Sequence, residues 1–212
     1  MNQKILIVAA TFEELGVTFD YFKWQRERFI QSSVADVLIT GVGMTATAFA
    51  LGKHLNNNYR LVLNVGIAGS FDKHITLGSV VNITKDSFSE LGAEDGENFL
   101  NLDELGFGQS SFATDFSSNI DLIEDLPIVT GITVNTIHGC TNSIDRLLER
   151  LHVQTESMEG AAVFYACQQM DIPVLQVRSI SNYVEQRNKD AWQIGLAIKN
   201  LNEWLIKLIK ND

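Results

Sequence analysis

Two short runs carry side chains that could act together on one ligand. Glu156-Ser157-Met158-Glu159-Gly160-Ala161-Ala162 puts a carboxylate and a thioether where an apolar helix begins. Val177-Arg178-Ser179-Ile180-Ser181-Asn182 puts a polar Ser-Asn pair just past the end of an apolar strand. A further acid pair, Glu13-Glu14, follows the first strand at the opening of a helix. Ionised carboxylates accept hydrogen bonds from hydroxyls and stabilise a nearby cation, while an amide can pair with the edge of a heterocycle. The carboxyl ends of strands are where an open α/β sheet binds ligands. The runs therefore point to a pocket for a molecule that is part hydroxylated and part heterocyclic.

The elements that must position these groups are read from hydrophobic patterning. Lys4–Ala10, Ala35–Thr40 and Arg60–Val65 are short β-branched apolar runs, each followed by a polar or Gly-rich turn. Their hydrophobicity is continuous rather than alternating, which predicts a largely parallel sheet covered on both faces. Ser79–Lys85, Gly131–Asn135 and Pro173–Ile180 read as further strands. Helices are predicted over Phe12–Phe22, Met44–Leu55, Asn142–Leu151 and Gly160–Met170. A last helix is marked by Ile194, Ile198, Leu201, Leu205 and Leu208 at steps of four and three. Glu90–Ser118 is acidic, Gly-containing and weakly patterned, and reads as a long loop, either a lid or a partner contact. With no repeat, low-complexity tract or linker, residues 1–212 read as one domain.

Composition excludes several function classes. The 212 residues are 45% hydrophobic, enough to bury one full core. A formal net charge of -10, with sixteen scattered basic residues, disfavours nucleic-acid and anionic-membrane partners. No apolar run approaches the roughly 20 residues of a membrane span. Met1-Asn2-Gln3-Lys4 leads straight into a strand, which argues against a signal peptide. Cys140 and Cys167 have neither metal spacing nor a disulfide pattern and read as small core residues of a cytoplasmic protein. No Walker motif, H-E-x-x-H, G-x-S-x-G or Cys/His cluster occurs, so no metal site is expected.

Glycine-rich turns need separate weighing. Gly41-Val42-Gly43-Met44-Thr45-Ala46 matches the G-x-G-x-x-G/A dinucleotide pattern between a strand and a helix. That reading requires an acid at the end of the next strand, and this one ends in Asn64-Val65-Gly66. No nicotinamide cofactor, and no other cofactor, is expected. Gly66-Ile67-Ala68-Gly69-Ser70 reads as a turn at the tip of a central strand, where backbone N–H groups can approach a ligand.

Ala9-Ala10-Thr11-Phe12-Glu13-Glu14-Leu15, the Gly66–Ser70 turn, the Met158-Glu159 pair and Arg178–Asn182 together resemble the nucleoside phosphorylase and nucleosidase superfamily, in its motif order and over nearly the whole chain. The resemblance implies a three-layer α/β/α fold with a mixed, mostly parallel central sheet, and cleavage of a ribosyl–purine bond. It further implies that Glu14 activates water, that Glu159 accepts hydrogen bonds from the ribose hydroxyls, and that Met158 packs on the sugar. Ala68 and Gly69 would lend backbone contacts to the sugar or the water. The base-stacking segment would lie near Thr136-Ile137-His138-Gly139, with Ile137 against the base. Beside these readings stand plainer ones: Glu14 and Glu159 as acids favoured at helix starts, Met158 as core, and His138 as a loop or core residue rather than a catalytic base.

Two departures from the family pattern matter. Adenine-specific relatives, the methylthioadenosine/S-adenosylhomocysteine nucleosidases, carry an Asp where this chain has Asn182, beside Ser181. An acid can protonate the purine and accept from an exocyclic amine, whereas an amide NH₂ donates to a 6-oxo group and ring nitrogen. Asn182 therefore predicts a 6-oxopurine nucleoside. Ser157 stands where relatives often have a further Glu, and Glu156 falls one residue early, which leaves its role open.

Alternatives follow from the same residues. Phosphorolytic relatives hold phosphate with arginines near the first and third strands, but this chain has no Arg between Met1 and Lys23, and Phe71-Asp72 follows the Gly66–Ser70 turn. Water is the expected nucleophile. A nucleosidase of adenine type, a purine nucleoside phosphorylase and, from another class, an NAD-dependent oxidoreductase or a binding protein without turnover remain as other readings. The resemblance also implies a homodimer in which one subunit's loop closes the other's pocket. Phe88, Phe99, Phe107, Phe112 and Phe116 of the long loop region could form that contact.

Overall fold

The computed structural model describes residues 4–114 and 121–211. Eleven strands occur among them: β1 (Lys4–Ala9), β2 (Phe29–Ile30), β3 (Asp36–Ile39), β4 (Tyr59–Ser70), β5 (Val80–Phe88), β6 (Gly92–Asp95), β7 (Asn98–Asn101), β8 (Ser111–Ala113), β9 (Ile128–Thr133), β10 (Thr155–Ser157) and β11 (Val174–Tyr183). The helices are α1 (Gly16–Phe22), α2 (Met44–His54), α3 (Leu102–Leu105), α4 (Asp121–Glu124), α5 (Thr141–Arg150), α6 (Gly160–Gln169) and α7 (Ile194–Asn211).

Nine strands form one mixed sheet in the order β10-β9-β5-β11-β4-β1-β3-β2, with β8 added on β5. The pairs β1–β3, β1–β4, β4–β11, β5–β9 and β9–β10 are parallel. The pairs β11–β5, β2–β3, β5–β8 and β10–β4 are antiparallel. Phe19 of α1 and Leu201, Leu205 and Leu208 of α7 pack on one face over Ile5, Ile7, Leu61, Leu63 and Val177. Leu51 of α2 and Val163, Phe164 and Cys167 of α6 pack on the other over Leu6, Val8 and Val62. Strands covered on both faces must be apolar throughout, which is why β1, β3 and β4 show continuous rather than alternating hydrophobicity. This is the three-layer α/β/α arrangement with a mostly parallel sheet. Among the described residues no helix is long and apolar enough to cross a membrane.

Several boundaries differ from the sequence reading. The Gly66–Ser70 segment is not a turn but the last part of β4, paired with β11 and then with β10. Ser181 and Asn182 lie inside β11 rather than beyond it, at a register shift between Ile180 and Asn182. The α1 helix begins only at Gly16, because Phe12 to Leu15 form turns. Glu90–Ser118 is not a structureless loop: its described part holds the β6–β7 hairpin, α3 and β8. The α3 turn is set by a capping box in which Asn101 accepts from Glu104 N–H. Phe116 lies outside the described residues.

Buried polar contacts tie the layers together where α6 begins. Asp86 of β5, fully buried, accepts hydrogen bonds from Thr133 Oγ1 (2.9 Å) and Gln176 Nε2 (2.8 Å). Gln176 Oε1 accepts in turn from Asn64 Nδ2, and Thr133 Oγ1 accepts from the N–H of Ala161. A Cβ on Gly160 would collide with Asp86 and Gln176, so the helix start sits directly on this network.

Burial pushes the Asp86 carboxyl up to about 6 from its ordinary 3.8. The folded protein thus holds this proton more tightly than the unfolded chain does. Asp86 therefore costs stability as pH rises through that window and restores it as pH falls. Relative to the Asp86→Asn variant, the wild type should gain stability as pH falls from 7 to 4, by up to about 3 kcal/mol. Urea unfolding of both proteins across that range checks it; a difference independent of pH would show that Asp86 is not perturbed.

Candidate active site

An arginine in the middle of an otherwise apolar strand organises the site. Arg178 of β11 is fully buried, and its Nη2 lies 3.6 Å from Glu159 Oε2. Gly66 faces it from β4, in register with Arg178. A Cβ there would strike Arg178 Nη1 and come 2.6 Å from Glu14 Oε1, so glycine is what lets guanidinium and carboxylate meet over this strand. Among the described residues, no hydrogen bond to the guanidinium is found. Charge therefore holds it between the carboxylates of Glu14 and Glu159.

Glu14 is 7% exposed and firmly held. Its Oε2 accepts from the N–H groups of Ala10 (3.1 Å) and Thr11 (3.0 Å), and its Oε1 from the N–H of Ile67 (3.1 Å). Its own backbone is fixed from α7: Asn202 Nδ2 donates to Glu14 O (2.8 Å) while Asn202 Oδ1 accepts from Thr18 N–H and Oγ1. Burial raises the Glu14 carboxyl above the usual carboxylate range. Arg178 pulls it back, while Glu159 adds to the rise.

Glu159, also buried, is the residue before α6, and its Oε1 accepts from the N–H of Gly43 (3.0 Å). Gly43 has φ +94°, a left-handed conformation that favours glycine, and precedes α2. The glycine-rich turn that resembles a dinucleotide loop thus gives this N–H to a carboxylate of the chain itself. Met158, beside Glu159, is partly exposed.

Asn182 and Ser181 lie across β4 from a second acid. Ser181 Oγ sits 2.8 Å from Asn182 Oδ1 and 3.2 Å from the Ala68 carbonyl oxygen. With its oxygen bonded to a hydroxyl, the Asn182 amide is fixed in orientation, and its Nδ2 donates to Tyr183 O (3.1 Å). Ala68 and Gly69 are buried parts of the strand beneath. Ile137 packs against Ile132, Val134 and Leu147, and its neighbour His138 binds Glu156.

The expected residues thus fall into two groups on one end of the sheet: Glu14 and Glu159 around Arg178, and Ala68, Gly69, Ser181 and Asn182 along β4 and β11. Arg178 belongs to the sequence motif Arg178–Asn182, which by itself assigns it no role. Its signal was physical: a charge inside an apolar strand must find a counter-charge. His138 and Glu156, read as a loop residue and as an acid of open role, turn out to be bonded to each other. An apolar groove of about 800 Å³, lined by Met44, Phe88, Leu102, Phe107, Phe112 and Tyr165 among others, begins beside the Gly43–Met44 turn. None of the residues expected from sequence to bind the ligand lines it.

A family model described as the Phosphorylase superfamily matches residues 5–210, and the chain belongs to that superfamily. Within it the similarity is to futalosine hydrolases. The chain is 32% identical over 187 residues to the futalosine hydrolase of Streptomyces coelicolor, covering 82% of this chain and 77% of the relative. To that of Thermus thermophilus it is 24% identical over 204 residues, covering 93% and 89%. Among solved structures, the futalosine hydrolase of Helicobacter pylori superposes with a TM-score of 0.81 at 16% identity, covering 99% of this chain and 98% of that one. A 5'-methylthioadenosine/S-adenosylhomocysteine nucleosidase from Colwellia psychrerythraea, in complex with adenine, superposes at 0.78 with 18% identity, covering 99% and 96%. At these identities the solved structures bear on the fold.

Proposed function

We propose that this chain is a nucleosidase that hydrolyses the N-ribosyl bond of a 6-oxopurine nucleoside, futalosine foremost, and releases hypoxanthine in menaquinone biosynthesis. The similarity to futalosine hydrolases supports the reaction class. The observation that carries the base is Asn182: an amide, oriented by Ser181, stands where an acid would serve adenine. The N–H that Asn182 does not give to Tyr183 O is shared between O6 and N7 of the base, and a donor left facing an amine would discriminate against adenine.

In the reaction the C1′–N9 bond breaks, with its electron pair leaving on the purine. Water adds to C1′ and gives up a proton to Glu14, while the departing purine takes up a proton from solvent and Glu14 afterwards releases its own to solvent, so that neutral hypoxanthine leaves and the carboxylate is restored. Glu159 accepts hydrogen bonds from the ribose hydroxyls, and its charge favours the oxocarbenium-like sugar. Arg178 keeps both carboxylates in place, Ala68 and Gly69 line the sugar side, Met158 packs on the ribose, and Ile137 approaches the base. A phosphate dianion would have to enter beside two carboxylates that share one guanidinium, which favours water over phosphate as nucleophile.

The working form we propose is a cytoplasmic homodimer. The exposed Phe107 (79%) and Tyr165 (47%) line the apolar groove near α2 and α6, and Phe49 (76%) of α2 is exposed as well, a surface that suits a second copy. Sedimentation velocity should return twice the chain mass, and a monomer at micromolar concentration would refute it.

Incubation with futalosine, inosine and methylthioadenosine, with and without phosphate, followed by chromatography of the released base, tests the substrate reading. Hypoxanthine should appear from futalosine at a rate independent of phosphate. Asn182→Asp should lower that release by about one to two decades, the loss of one or two buried hydrogen bonds, while release of adenine from methylthioadenosine rises. Equal wild-type turnover of methylthioadenosine and futalosine would sink this reading of Asn182.

Glu14→Gln should lower kcat by at least about 10²-fold in protein that still folds, though with reduced stability because Arg178 loses a counter-charge. Because burial raises the Glu14 carboxyl, and the base form is the ionised one, wild-type kcat/KM should fall on the acid side at a pH above the ordinary carboxylate range. A pH–rate profile checks this, and an acid limb at or below pH 4.5 would remove Glu14 as the group responsible.

A further inference from the structure

The carboxylate of Glu159 does not cap the helix it precedes. A polar side chain at that position ordinarily turns back to accept from the second or third N–H of its own helix. Here the Glu159 side chain makes no bond to the start of α6. Its Oε1 accepts from the N–H of Gly43 instead, and its Oε2 faces Arg178. The open N–H groups of α6 are met from elsewhere. Gly160 N–H donates to Ser157 Oγ (3.4 Å), Ala161 N–H to Thr133 Oγ1 (2.7 Å) and Ala162 N–H to the Glu159 carbonyl (3.0 Å). Thr133 ends β9, so a hydroxyl from another element fills the place that the Glu159 side chain would take.

Asp86 gives that hydroxyl its direction. A threonine hydroxyl has one proton and two lone pairs. Thr133 Oγ1 commits its proton to Asp86 Oδ1 (2.9 Å), which leaves a lone pair for the Ala161 N–H. The other Asp86 oxygen takes Gln176 Nε2 (2.8 Å), and Gln176 Oε1 takes Asn64 Nδ2 (3.2 Å). Every donor in this buried chain points towards Asp86, so no hydroxyl or amide in it can turn round without breaking a neighbour's bond. Asp86, Thr133 and Gln176 are all fully buried, and Gly160 rests against Asp86 and Gln176 with no room for a Cβ. The first turn of α6 is thereby seated on β5, β9 and β11.

We propose that Thr133, oriented by Asp86, is a positioning residue for the nucleosidase reaction: by capping α6 from β9 it releases the Glu159 carboxylate to Gly43, Arg178 and the ribose hydroxyls. Without that hydroxyl the Ala161 N–H is an unpaired buried donor, and ordinary capping geometry brings the Glu159 carboxylate within its reach. Glu159 then turns back onto its own helix, where the dipole favours an acid, and leaves the sugar. The assignment rests on the ribose role given to Glu159 above and deepens it.

Turnover of futalosine and of 3′-deoxyfutalosine by the full chain tests this, because the two differ only in a hydroxyl that Glu159 would hold. Wild-type kcat/KM should favour futalosine by at least about tenfold, the effect of one hydrogen bond to a charged group. Thr133→Val, which keeps the shape and removes the hydroxyl, should shrink that preference at least about threefold, as expected of a lost cap. Thr133→Ser, which retains the hydroxyl, should keep most of it. Asp86→Asn leaves one acceptor oxygen of two, should shrink the preference by a smaller factor, and serves where Thr133→Val does not fold. A merely structural role would slow both substrates alike. A preference unchanged in the folded variants therefore overturns the assignment and leaves the substrate reading standing. Equal wild-type turnover of the two nucleosides overturns the ribose role of Glu159, and the assignment with it. Failure to release hypoxanthine from futalosine overturns the substrate reading as well.

Discussion

The constraint on which the site depends is the burial of one positive charge. Arg178 lies in a strand whose neighbours Val177 and Ile180 are core residues, and it is itself fully buried. A guanidinium there is tolerable only if negative charge comes to it. Glu159 comes from the start of α6 and Glu14 from the turn after β1, while Gly66 gives up its side chain to let them approach. Removing either acid would leave a buried charge poorly compensated, so stability and site geometry are bound to the same three residues.

The rest of the fold can be understood as the means of delivering those acids. Glu14 is held by three backbone N–H groups and, through its own carbonyl, by Asn202 of α7. Glu159 is held by the N–H of Gly43 ahead of α2, while the Asp86–Gln176–Thr133 network supports the next residues of its helix. Both carboxylates are thereby fixed with few rotamers left to lose on binding a ligand. Such preorganisation is what an electrostatic site requires.

At the other end of the site the chain uses neutral and acceptor groups rather than an acid donor. Asn182 is set by Ser181, and Glu156 by His138. Burial raises the Glu156 carboxyl above its usual range, with His138 acting in the opposite sense. Two electrostatic environments are thus set side by side: charged around Arg178, and directional hydrogen bonding around Gly69.

Much of this was legible in the sequence. Continuous apolar runs named β1, β3 and β4 as covered strands, because a strand buried on both faces has no polar positions to spare. The four-and-three spacing placed α7, and the motif residues marked Glu14, Glu159 and Asn182. What the sequence left undetermined was set by pairing between distant segments. Gly66–Ser70 read as a turn because glycine and small residues break local patterns, yet β11 and β10 supply the hydrogen bonds that keep it extended. The three-residue β10 is too short to carry a period, and it exists because the edges of β9 and β4 are both open to it. Arg178 has no local partner, and Glu156 stands 18 residues from the histidine that orients it. Periodicity reports which face of an element is buried. It cannot report which side chain from another element will meet that face, and only the tertiary structure decided that.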